Sequence, residues 1–141
     1  MEKQQQDLRL PLMGKWFKMT EAGTKKEDYR ELSDFWIKRL VESITLFSGR
    51  YDSLKDISVK EAGINNVNLL HLSLDVLQRD VKLKKFDINV MTLGYPKSTD
   101  TDKILTLEHK GIRIGTGKPE WGAEPEKIYF VIMHGEIIKN K

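Results

Sequence analysis

No cysteine occurs in the chain, which excludes disulfides and every metal site built on thiolates. No run approaches the roughly 18 apolar residues that a membrane-spanning helix needs. The opening MEKQQQD lacks the apolar stretch of a secretory leader. The expectation is therefore a cytoplasmic protein with no membrane partner. Histidine is scarce. His71, His109 and His134 never stand at a ligand spacing such as H-E-x-x-H, so neither a metal nor a cofactor is expected. Neither charge sign dominates, with 24 Lys and Arg against 21 Asp and Glu, a net of +3. That balance permits a nucleic-acid partner without demanding one.

A true phosphate loop is also missing. Gly115, Gly117 and Lys118 in GTGKPEWGAE suggest one. A P-loop needs four residues between its first Gly and the Gly-Lys, then Ser or Thr. Here Pro119 follows the Lys. A dinucleotide fingerprint fails as well, because the glycine spacing is wrong and no helix follows.

What is present fits one domain of 141 residues with an adequate core. A polar tail covers residues 1–7. Leu8, Leu10 and Leu12 alternate as in a half-buried strand, and Pro11 suits a sheet edge. Trp16, Phe17 and Met19 fit a short helix that Gly23 stops. SDFWIKRLVESITLFSG spaces Trp36, Ile37, Leu40, Val41, Ile44 and Phe47 by threes and fours, which predicts one long helix capped by Ser33 or Asp34. Val67, Leu70, Leu74, Leu77 and Val81 predict a second helix over 66–81, capped by Asn65 or Asn66. From Phe86 the period becomes two in FDINVMTLGY and KILTLEHKGIRIG; IYFVIMHG is a continuous apolar run short enough for a fully buried strand, and EIIK is a last strand. The expected class is α+β, with a compact antiparallel sheet curled into a barrel.

GTKKEDYREL, residues 23–32, carries the densest candidate chemistry. If it extends after Gly23, Lys26, Asp28 and Arg30 share one face, and Glu27, Tyr29 and Glu31 the other. Lys25, at the bend, can lean either way. A Lys beside an Asp can lower the carboxyl's pKa or, if desolvated, act as a base. Arg30 offers a planar fork for phosphate or carboxylate. The competing reading is a solvated edge strand whose charges discourage aggregation.

The segment LPLMGKWFKMTEAGTKKEDYRELSDFWIKRL resembles the opening of the ASCH domain family, whose fold resembles the PUA domain. The family hallmark is Gly, any, Lys, two of any, Glu, any, Arg after a short helix. Gly23, Lys25 and Arg30 match it, and Asp28 stands at the Glu position. GIRIGTGKPEWGAEPEKIYFVIMHGEII resembles a bacterial and phage subgroup of ASCH-like proteins. The resemblance implies a single ASCH-like domain over 1–141. It implies a small PUA-like antiparallel β-barrel with flanking helices, and leaves residues 45–85 as a helical insertion. It implies a cleft, lined by the hallmark, for RNA or a modified nucleoside or nucleotide. Some members hydrolyse an acyl amide on a cytosine-type nucleoside, and some are reported to cleave RNA. In the amide hydrolases the hallmark Lys is catalytic and a Thr nucleophile occupies the position of Asp28. Here an Asp would serve as general base toward water, with Lys25 polarising the carbonyl. Binding is thus the first expectation. A hydrolase with Lys25 and Asp28 as its catalytic pair is the alternative.

The expected ligand-binding set is Gly23, Lys25, Arg30, Lys118, Trp121 and Glu124. Trp121 sits on a flexible Gly-rich loop and would stack on a base, or else anchor the loop. Glu124 would bond a base edge or face water. His109 would border the cleft, while His71, among leucines, reads as structural. KLKK at 82–85 can contact phosphates or be solvated surface. Off-stripe Leu69, Leu72 and Val76 mean either deep burial of the 66–81 helix or a homodimer through it.

Overall fold

The computed structural model describes residues 6–48 and 53–138. Strand β1 (Asp7–Leu12) leads into helix α1 (Gly14–Glu21), then β2 (Glu27–Arg30) and α2 (Asp34–Leu40). Next come β3 (Val41–Ser48), β4 (Ser53–Ser58), α3 (Val59–Ala62), α4 (Asn66–Leu70) and α5 (Leu74–Asp80). The chain closes with β5 (Val81–Leu83), β6 (Ile88–Leu93), β7 (Ile104–Gly115) and β8 (Tyr129–Ile138). The fold is α+β. Five strands in the order β1-β6-β7-β8-β2 form one curled sheet, half of a barrel, and β4-β3-β5 form a second.

The expected all-antiparallel sheet is corrected at its edge. β1 runs parallel to β6, with Leu8 opposite Asn89 and Leu10 opposite Met91. The chain between them folds the whole second sheet and every helix, which is the long crossover that a parallel pair requires. Leu8, Leu10 and Leu12 all enter the core, so the period-two reading of β1 holds. Pro11 lies on the edge strand, where its missing N–H costs nothing. Asp7 begins β1, and Gln6 exchanges hydrogen bonds with Asp87, so residues 6 and 7, expected in the polar tail, belong to the sheet edge. Residues 1–5 lie outside the described residues.

The long helix predicted over 33–49 is the largest correction. Ser33 Oγ accepts from Trp36 N–H, and the helix starts as the sequence requires. It stops at Leu40, and Val41 is already extended. The register of β3 against β5 shifts between Val41 and Ser43. This bulge adds one residue and resets which face each later residue occupies. Val41 and Ile44, three apart, are thereby both buried. A bulged strand has imitated helical spacing. β-branched Val41, Ile44 and Thr45 suit the strand.

The helix predicted over 66–81 is also divided. Asn65 Oδ1 accepts from Asn68 N–H and caps α4; Ser73 Oγ accepts from Val76 N–H and caps α5. The second cap breaks the phase of the stripe. Off-stripe Leu69 is buried, whereas Val67 and Leu70 face solvent. Among the described residues, the segment 45–85, expected as a helical insertion, holds strands as well as three short helices. EIIK is not a separate strand, because β8 continues through Gly135 to Ile138. A Cβ on Gly135 would lie 2.5 Å from Glu108 Oε1, so glycine lets that side chain cross. The main core gathers Leu8, Leu10, Phe17, Ile37, Leu40, Met91, Phe130 and Ile132 between the curled sheet and the helices.

Candidate functional site

Gly23, with φ of 79°, turns the chain after α1 in a conformation that favours glycine. The N–H groups of Thr24 and Lys25 both donate to the Met19 carbonyl, which tucks Lys25 under the helix end. Its side chain leans toward Asp28 and is only 2% exposed. Lys26 points outward instead. Lys25 Nζ donates to the Glu27 carbonyl and meets Asp28 Oδ1 at 3.4 Å. Arg30 Nε holds the other carboxylate oxygen, Oδ2, at 2.5 Å. Asp28 thus lies between two cations, and both of its oxygens are engaged. The alternation of β2 places it on the core side, while Glu27 and Tyr29 pair on the other face through a 2.7 Å hydrogen bond.

Arg30 is held from three directions. Its Nη2 donates to the Pro11 carbonyl at 2.7 Å, and its guanidinium lies 4.9 Å from the centre of the Trp36 ring. Lys25 is held through its backbone as well. The Lys25 carbonyl lies 2.7 Å from Nε2 of buried His134. A carbonyl only accepts, so Nε2 carries the proton and Nδ1 is the bare nitrogen. Nδ1 is buried with no hydrogen-bond partner. Burial lowers the pKa of His134 and also that of Lys25, where the nearby Asp28 carboxylate opposes the shift without cancelling it.

Above this triad lies a cleft of about 210 Å³. Lys25, Asp28 and Arg30 form its polar floor; Trp16, Tyr29 and Trp121 form aromatic walls. The loop that carries Trp121 is pinned to β2. Lys118 N–H donates to Tyr29 Oη at 2.9 Å, and a Cβ on Gly117 would lie 2.5 Å from the Tyr29 ring. Gly122, with φ of 103°, packs on the Trp16 ring, where a Cβ would come within 3.0 Å. A short 3-10 turn, Pro119–Trp121, presents the indole.

The structure therefore brings Lys25, Asp28, Arg30 and Trp121 to one concavity. The other expected residues stand elsewhere. Gly23 lines a groove behind Lys25, with His134. Lys118 Nζ covers the Trp121 ring at 4.5 Å, outside the cleft lining. Glu124 is exposed and pairs with Lys127 at 3.1 Å. Trp16, Tyr29 and His134 were not legible as parts of the site. Each sits on an apolar or charged stretch whose pattern alone marks no ligand, and their meeting depends on the loop folding back over β2. Among the described residues no three His, Asp or Glu side chains gather as a metal site requires. None of the described helices is long and apolar enough to cross a membrane.

No family model, curated protein or solved structure matches this chain.

Proposed function

We propose that the cleft over Lys25, Asp28 and Arg30 binds RNA or a nucleotide-like ligand, modified nucleosides included, by taking in one base ring. The carrying observation is the pairing of a charged, hydrogen-bonding floor with aromatic walls at a single hollow. Aromatic faces stack on bases at about 1–3 kcal/mol each. Small-molecule sites usually enclose roughly 300–1,000 Å³, so 210 Å³ suits a ring and leaves sugar and phosphate outside. The hallmark resemblance supports the same reading.

Hydrolysis of an acylated nucleoside is the second reading, and one observation favours it. Burial lowers the pKa of Lys25, which is what a lysine base or nucleophile needs. Asp28 fits the role of general base less well, because Lys25 and Arg30 already occupy its oxygens. In this reading Lys25 reacts and Asp28 orients it.

The test is a binding and hydrolysis screen of acylated nucleosides, unmodified nucleosides and short RNA. Trp121→Ala should weaken binding about five- to a hundredfold, the equivalent of one lost stack. Lys25→Met should abolish any turnover. RNA affinity should fall as salt rises. Absence of millimolar binding to every probe rejects the proposal.

A further inference from the structure

A larger cavity, about 640 Å³, lies apart from the first cleft and shares no lining residue with it. β6 pairs with β7 only up to Glu108. Beyond that point β7 pairs with β8 alone, and its free edge faces α5 and β5. Gln78 on α5 donates to the Ile114 carbonyl at 2.8 Å and holds one wall. Lys84, Lys85, Lys110 and Arg113 line the space, and no acidic residue does. The KLKK stretch thus meets the KGIR stretch in three dimensions.

These cations are lightly committed. Lys110 meets Glu108 at 3.7 Å and Arg113 meets Glu27 at 3.4 Å, both long and partly exposed pairs. Such pairs contribute little and exchange readily. Lys84 Nζ donates to the Lys38 carbonyl. Lys85 forms no ion pair with a described residue.

An imidazole stands among them. His109 lines the cavity, and its Nδ1 lies 2.7 Å from Oδ1 of fully buried Asn89. With the amide oxygen turned to the ring and Asn89 Nδ2 buried without a partner among the described residues, Nδ1 carries the proton and Nε2 keeps its lone pair. Nε2 has no partner among the described residues and is not among the buried unsatisfied atoms, so it is open to the cavity. Phe86 packs edge-on to the ring at 5.5 Å and fixes its plane. Burial lowers the His109 pKa, with exposed Asp87 opposing, so the imidazole is neutral at pH 7.

We propose that this cavity binds a phosphate ester carrying a neighbouring hydroxyl, the arrangement of a ribonucleotide 2′-OH beside a 3′-phosphate. The cations would take the phosphate oxygens, and His109 Nε2 would accept from the hydroxyl. An acceptor within a cationic wall favours an anion that also donates. Loss of one such bond leaves the imidazole nitrogen unpaired beneath the bound ligand, which is how a site discriminates against a ligand lacking the donor.

The experiment is calorimetric titration with a ribonucleoside 3′-monophosphate, its 2′-deoxy counterpart and inorganic phosphate. The ribonucleotide should bind at least fivefold tighter than the deoxy form. Lys85→Ala combined with Lys110→Ala, two exposed positions, should weaken all three probes tenfold or more. His109→Phe should bring the ribonucleotide down to the deoxy affinity. Folding of each variant is checked by its unfolding midpoint. Nitrogen-15 shifts of His109 should report a proton on Nδ1. Equal ribo and deoxy affinities, or a proton on Nε2, overturn the hydroxyl assignment. Binding that survives the double lysine variant but fails in Trp121→Ala places the ligand in the first cleft and overturns this site alone.

Discussion

Arg30 and Pro11 join the two open edges of the curled sheet. β1 and β2 are its edge strands and share no ladder. A single guanidinium bond of 2.7 Å to the Pro11 carbonyl bridges them, while the same side chain holds Asp28. The half-barrel is thus closed by a side chain at the place where the candidate cleft opens. Closure and binding depend on one group.

Arg30→Ala should destabilise the protein by about 3 kcal/mol. It removes the closer of the two cations that hold the buried Asp28 carboxylate, and it frees the Pro11 carbonyl. Arg30→Lys should recover little, because an ammonium cannot hold Asp28 and Pro11 in the same planar geometry. Urea denaturation of the two variants checks both statements.

Lys25 and Asp28 should respond in opposite ways. Folding lowers the Lys25 pKa through burial, so its charged form is disfavoured in the native state. Lys25→Met keeps the bulk and removes that cost, and it should leave stability unchanged or raise it by about 1 kcal/mol. Asp28→Asn leaves two cations facing each other and should cost about 3–5 kcal/mol. A large loss in Lys25→Met would show that the amine is a net structural support. A stabilised Lys25→Met that no longer binds nucleosides would mark a residue retained for its function at a cost in stability.

Much of this arrangement was legible from spacing. Leu8, Leu10 and Leu12, the α1 stop at Gly23 and the strand after it followed from period and glycine chemistry. β6 and β7 followed from alternation, and β8 from its continuous apolar run. Val41 and Ile44 misled, because a bulge converts strand alternation into helical spacing and only the partner strand reveals it. Ser73 misled too, because a cap within a leucine stripe looks like one polar residue on a helix face. The parallel pairing of β1 with β6 has no local signature. Trp16 joins Trp121 only because Gly117 and Gly122 admit the rings of Tyr29 and Trp16, and that is a tertiary fact.

Stability should fall on mild acidification. In the unfolded chain His109 and His134 titrate near the usual value of about 6.5; in the folded protein burial lowers both. Between the folded and unfolded values the unfolded chain binds more protons, so stability declines as pH drops through that window. It levels off below the folded values. Denaturant midpoints from pH 8 to pH 5 should show this slope, and His134→Gln should reduce it. The lowered carboxyl pKa values of Asp80 and Glu108 act further down, below the usual carboxylate range, and stay outside the measured span. A flat profile would mean that neither imidazole is kept neutral by burial.

Gly117→Ala tests whether the loop positions Trp121. The added methyl would lie 2.5 Å from the Tyr29 ring and 2.8 Å from the Ala123 Cβ. Both neighbours belong to a packed cluster with Tyr129 and Val131, so neither can simply swing aside. Overpacking of this kind costs about 1–3 kcal/mol. The strain should lift the loop and break the Lys118 N–H bond to Tyr29 Oη. Tyr29→Phe removes that bond without adding bulk, so it should release the loop at a smaller cost, about 1 kcal/mol. Trp121 fluorescence quenching by iodide separates the cases, after subtraction of a Trp121→Phe background. Faster quenching in both variants is expected if Tyr29 anchors the indole over the cleft. Unchanged quenching in Tyr29→Phe, with increased quenching in Gly117→Ala, would assign the anchor to ring packing instead of the hydroxyl.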